Sequence, residues 1–260
     1  MPAVERAVQV LRALSGETAG LRLAELSPEL GMSMSTLSEL LATLEAARMV
    51  ERDPVSRAFR LGPELVELGL AARSGLDLTR AARRELEWLR EASGETAILH
   101  VPSGSGAVIV DAAESGHQLK VAAPLGHRLP ALAGSVGKVL LAAAAEDQQR
   151  AALAMGVLPA FTELSITEPD AYLAELIRVR RHGYATDDEE YLAGVRAASA
   201  AVTSGDGATE AVISVAGASS RLAASELRSL AEEVRGAAAR VSERLGGPPA
   251  AGGTDRRARR

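Results

Sequence analysis

The chain has 260 residues, of which 47% are apolar and 24% charged, with a net charge of −5 and a pI near 5.6. That length holds one large domain or two ordinary ones, each with its own apolar core. Aromatic residues make up only 2% and cysteine is absent, which excludes single-strand nucleic-acid binding on aromatic platforms, disulfides, thiol catalysis and Cys-based zinc sites.

Val4, Ala7, Val8, Leu11 and Leu14 recur at helical spacing and predict an amphipathic helix over 4–14. Leu23, Leu26 and Leu30 line a second short helix closed by Gly31. Ser33 or Ser35 caps a third, with Leu37, Leu40, Leu41 and Leu44 as its buried stripe. Met49–Asp53, a turn at Pro54-Val55-Ser56, and Arg57–Leu61 read as a short β-hairpin. Three short helices followed by a hairpin is the order of a winged helix-turn-helix, whose third helix enters the DNA major groove while the hairpin tip touches the backbone. The acidic total does not exclude this, because a small DNA-reading domain is outvoted by a larger acidic one.

From Pro63 to Gly94 the pattern is helical, broken near Ser74-Gly75, with Trp88 read as a packing residue. Beyond Gly94 the character changes. Strands are expected at 96–101, 107–111, 119–123, 184–187, 195–203 and 210–216, and helices at about 135–145, 146–155, 168–182 and 224–245. Strands in runs with helices on one side indicate an α+β sheet domain. The end, residues 248–260, is Gly/Pro/Ala-rich and finishes in four arginines among Arg256–Arg260. It is expected to be a disordered basic tail, either simply solvated or adding phosphate contacts.

Several motifs are weighed and set aside. Gly134-Ser135-Val136-Gly137-Lys138 lacks the spacing of a phosphate loop and Val139 follows the lysine; the stretch is a plain helix start or an anion site. Asp187-Asp188-Glu189-Glu190 reads as a solvated acidic turn for three of its four members. Gly104-Ser105-Gly106 lies in a hairpin turn and not in a nucleophile elbow. His100, His117, His127 and His182 are scattered, with no pair at ligand spacing. No catalytic residue, metal or cofactor is expected. The opening Met1–Arg6 lacks the basic-then-apolar order of a signal peptide, and no apolar run nears the ~18 residues of a membrane span, so a cytoplasmic protein without membrane contact is expected.

These residues, in this order from about Val4 to Gly247, resemble the IclR family of bacterial regulators. The resemblance is carried by Ala3–Leu11, by Leu41–Glu45 into Val50–Asp53 and Arg60-Leu61-Gly62, and by Gly94-Glu95-Thr96. It continues through Leu129-Pro130, Gly137-Lys138 with Leu141-Ala142, Arg181–Ala185, and Asp188–Glu190 to Gly194-Val195-Arg196. It implies a winged helix-turn-helix over 1–62, a dimerising linker helix over 63–75 and a GAF-like α/β effector-binding domain over 76–247. The chain would then act on double-stranded operator DNA as a homodimer or dimer of dimers, more readily as a repressor. The effector would be an organic acid or other polar metabolite held by the backbone of Ser135 and Val136, the side chains of Asp187 and Ser214, and an apolar wall of Val121 and Leu129.

Three departures from the family pattern matter. Ala197 and Ala216 stand where relatives often carry Cys and Ser, so the ligand is expected to be larger or more apolar than a short keto acid. The recognition segment Ser33–Leu40 lacks the basic residues usual at positions 34 and 39, and residues 1–61 hold seven arginines against eight acids. Non-specific affinity for DNA is therefore expected to be weak. Base reading is assigned to Ser35, Thr36, Ser38 and Glu39, backbone contact to Arg52, Arg57 and Arg60, and Ser33 is counted with the DNA-binding residues. The alternative is a sensor or adaptor that does not bind DNA and whose helix-turn-helix is degenerate.

Overall fold

The structure is a computed structural model and describes residues 3–17, 19–74, 77–104, 106–154 and 156–247. The basic tail at 248–260 lies outside the described residues. The chain divides into two compact units, Met1–Gly75 and Leu76–Arg260.

The first unit runs α1 (Ala3–Ser15), α2 (Leu23–Leu30), α3 (Met34–Ala46), β1 (Val50–Arg52), β2 (Phe59–Leu61) and α4 (Glu64–Ser74). Gly31 ends α2 in the left-handed conformation, φ 61°, where a side chain would be strained. Ser33, and not Ser35, caps α3: its Oγ accepts from the Thr36 amide at 3.3 Å, and Ser35 lies inside the helix. Val10, Leu14, Leu26, Leu37, Leu41 and Phe59 form the core of this unit, so each helix contributes one stripe and the hairpin closes the bottom. The hairpin pairs Val50 with Leu61 and Arg52 with Phe59. Its turn is tied by the Asp53 carboxylate, which accepts from the Val55 and Ser56 amides at 3.0 and 2.7 Å.

The second unit opens with α5 (Asp77–Ser93), β3 (Thr96–Ser103), β4 (Gly106–Ala113), β5 (Arg128–Leu129), α6 (Gly134–Ala143) and α7 (Glu146–Leu153). It continues with α8 (Pro169–His182), β6 (Ala185–Asp188), β7 (Val195–Thr203), β8 (Thr209–Ala218), a single 3-10 turn and α9 (Leu227–Arg244). The strands make one antiparallel sheet ordered β5-β4-β3-β8-β7-β6. Helices cover both of its faces, which corrects the one-sided arrangement expected from the sequence. Ala97, Leu99, Ala198, Ala200, Ile213 and Val215 pack with residues of α5 and α9. On the other face Val212 and Ala185 pack with Val136 and Val139 of α6 and Tyr172 and Leu176 of α8. Between α5 and α9, the fully buried Glu85 receives Arg240 Nε at 2.9 Å and Arg244 Nη2 at 2.7 Å. The ring of Trp88 lies 5.1 Å from the Arg240 guanidinium, a packing role.

The expected strand at 119–123 does not form. The edge of β4 is already taken, by Leu129 and Arg128 opposite Ala107 and Val108, and by Ile109 bonding His127 and Gly126. The segment before it runs irregularly over the sheet, and the Val121 carbonyl takes its hydrogen bond from Thr96 Oγ1 at 2.9 Å instead of from a ladder. Among the described residues no helix is long and apolar enough to cross a membrane.

Candidate functional site

In the first unit the polar residues of α3 divide by position. Leu37, Leu41 and Leu44 face the core, which leaves Ser35, Ser38 and Glu39 exposed on the opposite side. Ser33 Oγ spends its hydrogen bonds on the cap, reaching Thr36 Oγ1 at 2.9 Å and Ser35 Oγ at 3.1 Å. Thr36 is half-buried. The three wing arginines also differ. Arg57 is exposed at the tip with φ 61°. Arg52 lies 5.2 Å from the centre of the Phe59 ring, and Arg60 approaches Asp53 at 3.8 Å and Glu51 at 4.0 Å. Of the three, Arg60 is the one whose charge is already countered within the hairpin.

In the second unit the site residues converge on the sheet face beneath α6. Side chains two apart on a strand share a face, and register places Asp187 opposite Ala197, Ala197 opposite Ala216, and Ser199 opposite Ser214. The start of α6 lies over this row: Ser135 Oγ is 2.7 Å from Ser199 Oγ, both buried. Val121 and Leu129 pack against the cluster of Ile98, Ile109, Ala123, Ala197 and Ala216, which floors the same region. Val136 sends its side chain into the cluster with Tyr172 and Leu176. No side chain caps α6, and its first amides are those of an open helix start.

Asp187 sits against that start. A Cβ on Gly134, whose φ is 48°, would lie 2.1 Å from Asp187 Oδ2, so only glycine lets the carboxylate approach. Its Oδ1 accepts from the Glu190 amide at 2.7 Å and the Tyr191 amide at 3.4 Å. Burial pushes its pKa up to about 6, against the lowering effect of those amides and with Glu190 adding to the rise. Of the three acids read as solvated, Asp188 is exposed, while Glu189 and Glu190 are partly buried. Asp188 and Glu189 pair with Arg196, at 2.5 and 3.5 Å, and Glu190 pairs with the buried Lys138 at 2.6 Å. Lys138 Nζ also donates to the Thr186 carbonyl at 2.8 Å, so the lysine is spent on joining α6 to β6. A small cavity of about 10 Å³, room for one water, lies between Leu132, Gly134, Phe161, Ile166, Tyr172 and Glu190. The Tyr172 hydroxyl is buried with no partner among the described residues, and burial followed by the nearby carboxylates raises its pKa.

Residues 3–54 match the family model described as the IclR helix-turn-helix domain, and residues 70–243 match the bacterial transcriptional regulator IclR C-terminal. The chain belongs to the IclR family. It is 30% identical over 245 residues to the transcriptional regulator XynR of Escherichia coli K12, covering 94% of this chain and 97% of that one. The transcriptional repressor AllR of the same strain is 30% identical over 244 residues, covering 94% and 90%. An IclR transcriptional regulator from Alicyclobacillus acidocaldarius superposes with a TM-score of 0.84 at 29% identity, over 95% of this chain and 99% of that one. This IclR-family chain is thus a DNA-binding transcriptional regulator.

Reading the sequence missed four of the polar residues packed around this face. Ser199 is not singled out within its strand, Lys138 enters only through the rejected phosphate loop and the Gly137-Lys138 motif, Glu190 reads as a solvated acid, and His100 as one of the scattered histidines. His100 was the most legible: alternation along β3 puts it on the face of Thr96 and Ile98. Lys138 stands three residues after Ser135 on α6, but nothing local tells that Glu190 will meet it.

Proposed function

We propose that this chain is a transcriptional repressor of the cytoplasm whose grip on a double-stranded operator is set by a small organic metabolite. Residues 1–62 read DNA, 63–75 link, and 76–247 capture the effector; the working form is a homodimer or dimer of dimers. The observation that carries the reading is the division of α3. Its leucines are fully engaged in the core while Ser35, Ser38 and Glu39 are left to a partner, and Glu39 suits a cytosine amino group. Arg57 and Arg52 supply backbone contacts. In the sensing unit the effector contacts are the Ser135 and Val136 amides, Asp187 and Ser214, over a floor of Val121, Leu129, Ala197 and Ala216. The effector acts through its differential affinity for two arrangements of the chain.

The test is a gel shift on the gene's own upstream region at low and moderate salt, with metabolites found by thermal shift added to the complex. A sequence-preferred shift that such a metabolite releases is expected. A second reading, an adaptor that does not bind DNA, is favoured by one observation: α3 carries no Lys or Arg. A folded dimer that shifts no fragment of the upstream region would establish it in place of the first.

A further inference from the structure

His100 on β3 is 2% exposed, and half of its ring is unaccounted for. Nε2 lies 2.7 Å from Ser214 Oγ, while Nδ1 has no hydrogen-bond partner among the described residues. Burial pushes the pKa of the ring down to about 3, so it is neutral and carries one N–H. Two arrangements follow. With the proton on Nδ1, a buried donor is orphaned and Ser214 must donate to Nε2. With the proton on Nε2, a ring lone pair is bare and the donor left over is the Ser214 hydroxyl, which unlike a fixed ring N–H can rotate to meet an incoming acceptor. The second arrangement makes Ser214 Oγ an acceptor from His100, which leaves the hydroxyl hydrogen of Ser214 without an acceptor among the described residues.

That hydrogen belongs to the same sheet face as Ala216, Ala197 and Asp187. From β8 to β6 this strip spans about 10 Å, two strand spacings, the width of a small metabolite. Its floor is alanine, and its far pole is a carboxylate that lies against Gly134 at the start of α6. We propose that His100 is a specificity-determining positioning residue: it holds Ser214 as a hydrogen donor. The effector then presents a carbonyl-type acceptor oxygen to Ser214 and a hydroxyl to Asp187, which defines a small neutral hydroxylated carbonyl compound. This rests on the effector reading above and goes beyond it by naming the ligand class.

The test uses the full chain. Long-range proton–nitrogen NMR of labelled histidine at neutral pH, assigned with His100→Gln, should find the proton on Nε2; a proton on Nδ1 overturns the proposal without any ligand. Two probes of similar size follow, lactamide, which has a carbonyl and a hydroxyl, and isopropanolamine, which has donors and no carbonyl. Lactamide should bind the wild type and His100→Gln, whose amide reaches as far as Nε2, and bind His100→Met about tenfold more weakly, a loss of about 1.4 kcal/mol. Isopropanolamine should bind the wild type and His100→Met alike. Equal weakening of both probes would mean a merely structural role, and lactamide binding that is absent from the wild type or indifferent to His100→Met likewise rejects the idea. Failure of the effector reading itself has a different signature: both probes ignore Asp187→Ala while the Nε2 proton is still found.

Discussion

The two units of this protein present polar residues in opposite ways. On α3, Ser35, Ser38 and Glu39 are exposed, and the core beneath them is apolar throughout, leucines with Val10, Met32, Val50 and Phe59. Under α6, Ser135, Ser199, Ser214, His100, Asp187 and Lys138 are all buried. An exposed polar side chain is hydrated whether or not a partner comes, so changing it alters recognition and leaves the fold alone. A buried one must be matched inside the protein, because each unmatched donor or charge costs about 1–3 kcal/mol or more. Recognition and stability are therefore separable in the first unit and coupled in the second.

The comparison can be broken most forcefully at Lys138. Lys138→Met leaves Glu190 and the Thr186 carbonyl without their cation, and urea denaturation should show a loss of about 3 kcal/mol in the second unit. A loss as small as that of a surface substitution would refute the claim of coupling.

A titration sharpens it next. Asp187 has its pKa raised from 3.8 to about 6, so between those values the folded state holds a proton that the unfolded state has lost, and stability falls as pH rises. His100 has its pKa lowered from 6.5 to about 3, so over that span the unfolded state takes a proton that the folded state refuses, and stability rises with pH. From about pH 4 to 6 the two slopes, each about 1.4 kcal/mol per pH unit, oppose one another. Asp187→Asn should therefore uncover a rise in stability with pH across this window, and His100→Gln a fall. Identical pH profiles for the two variants would show that neither group titrates as described.

Two smaller effects probe the first unit. Ser33→Ala removes the α3 cap and should cost about 1 kcal/mol, read as a lower thermal midpoint. Arg57→Ala should leave the midpoint unchanged and lower the slope of log affinity against log salt by about 0.9, about equally for all DNA sequences. Ser35→Ala and Glu39→Ala should instead change which sequence is preferred. If all three variants behave the same, α3 does not read bases.

Local chemistry is legible where one residue and its near neighbours settle the matter. The leucine spacing that buries one side of α3, the Gly31 stop, the hairpin turn after Asp53, and the alternation of β4 all follow from short-range periodicity and turn preference. Even the two-faced burial of the sheet has a signal in hindsight, since β8, Thr209–Ala218, is apolar at successive positions and not only at alternate ones. Other features needed the folded chain. Whether 119–123 pairs as a strand depends on whether β4 has a free edge. Whether Asp187 is a solvated acid or a buried one depends on Gly134, more than fifty residues earlier, having no side chain. Whether His100 is packing or recognition depends on Ser214, 114 residues away. Burial and long-range hydrogen bonding are properties of what arrives from elsewhere, so local spacing and turn chemistry determined the elements and the ordered motifs carried the family resemblance, while tertiary packing alone decided which polar atoms are buried and what they meet.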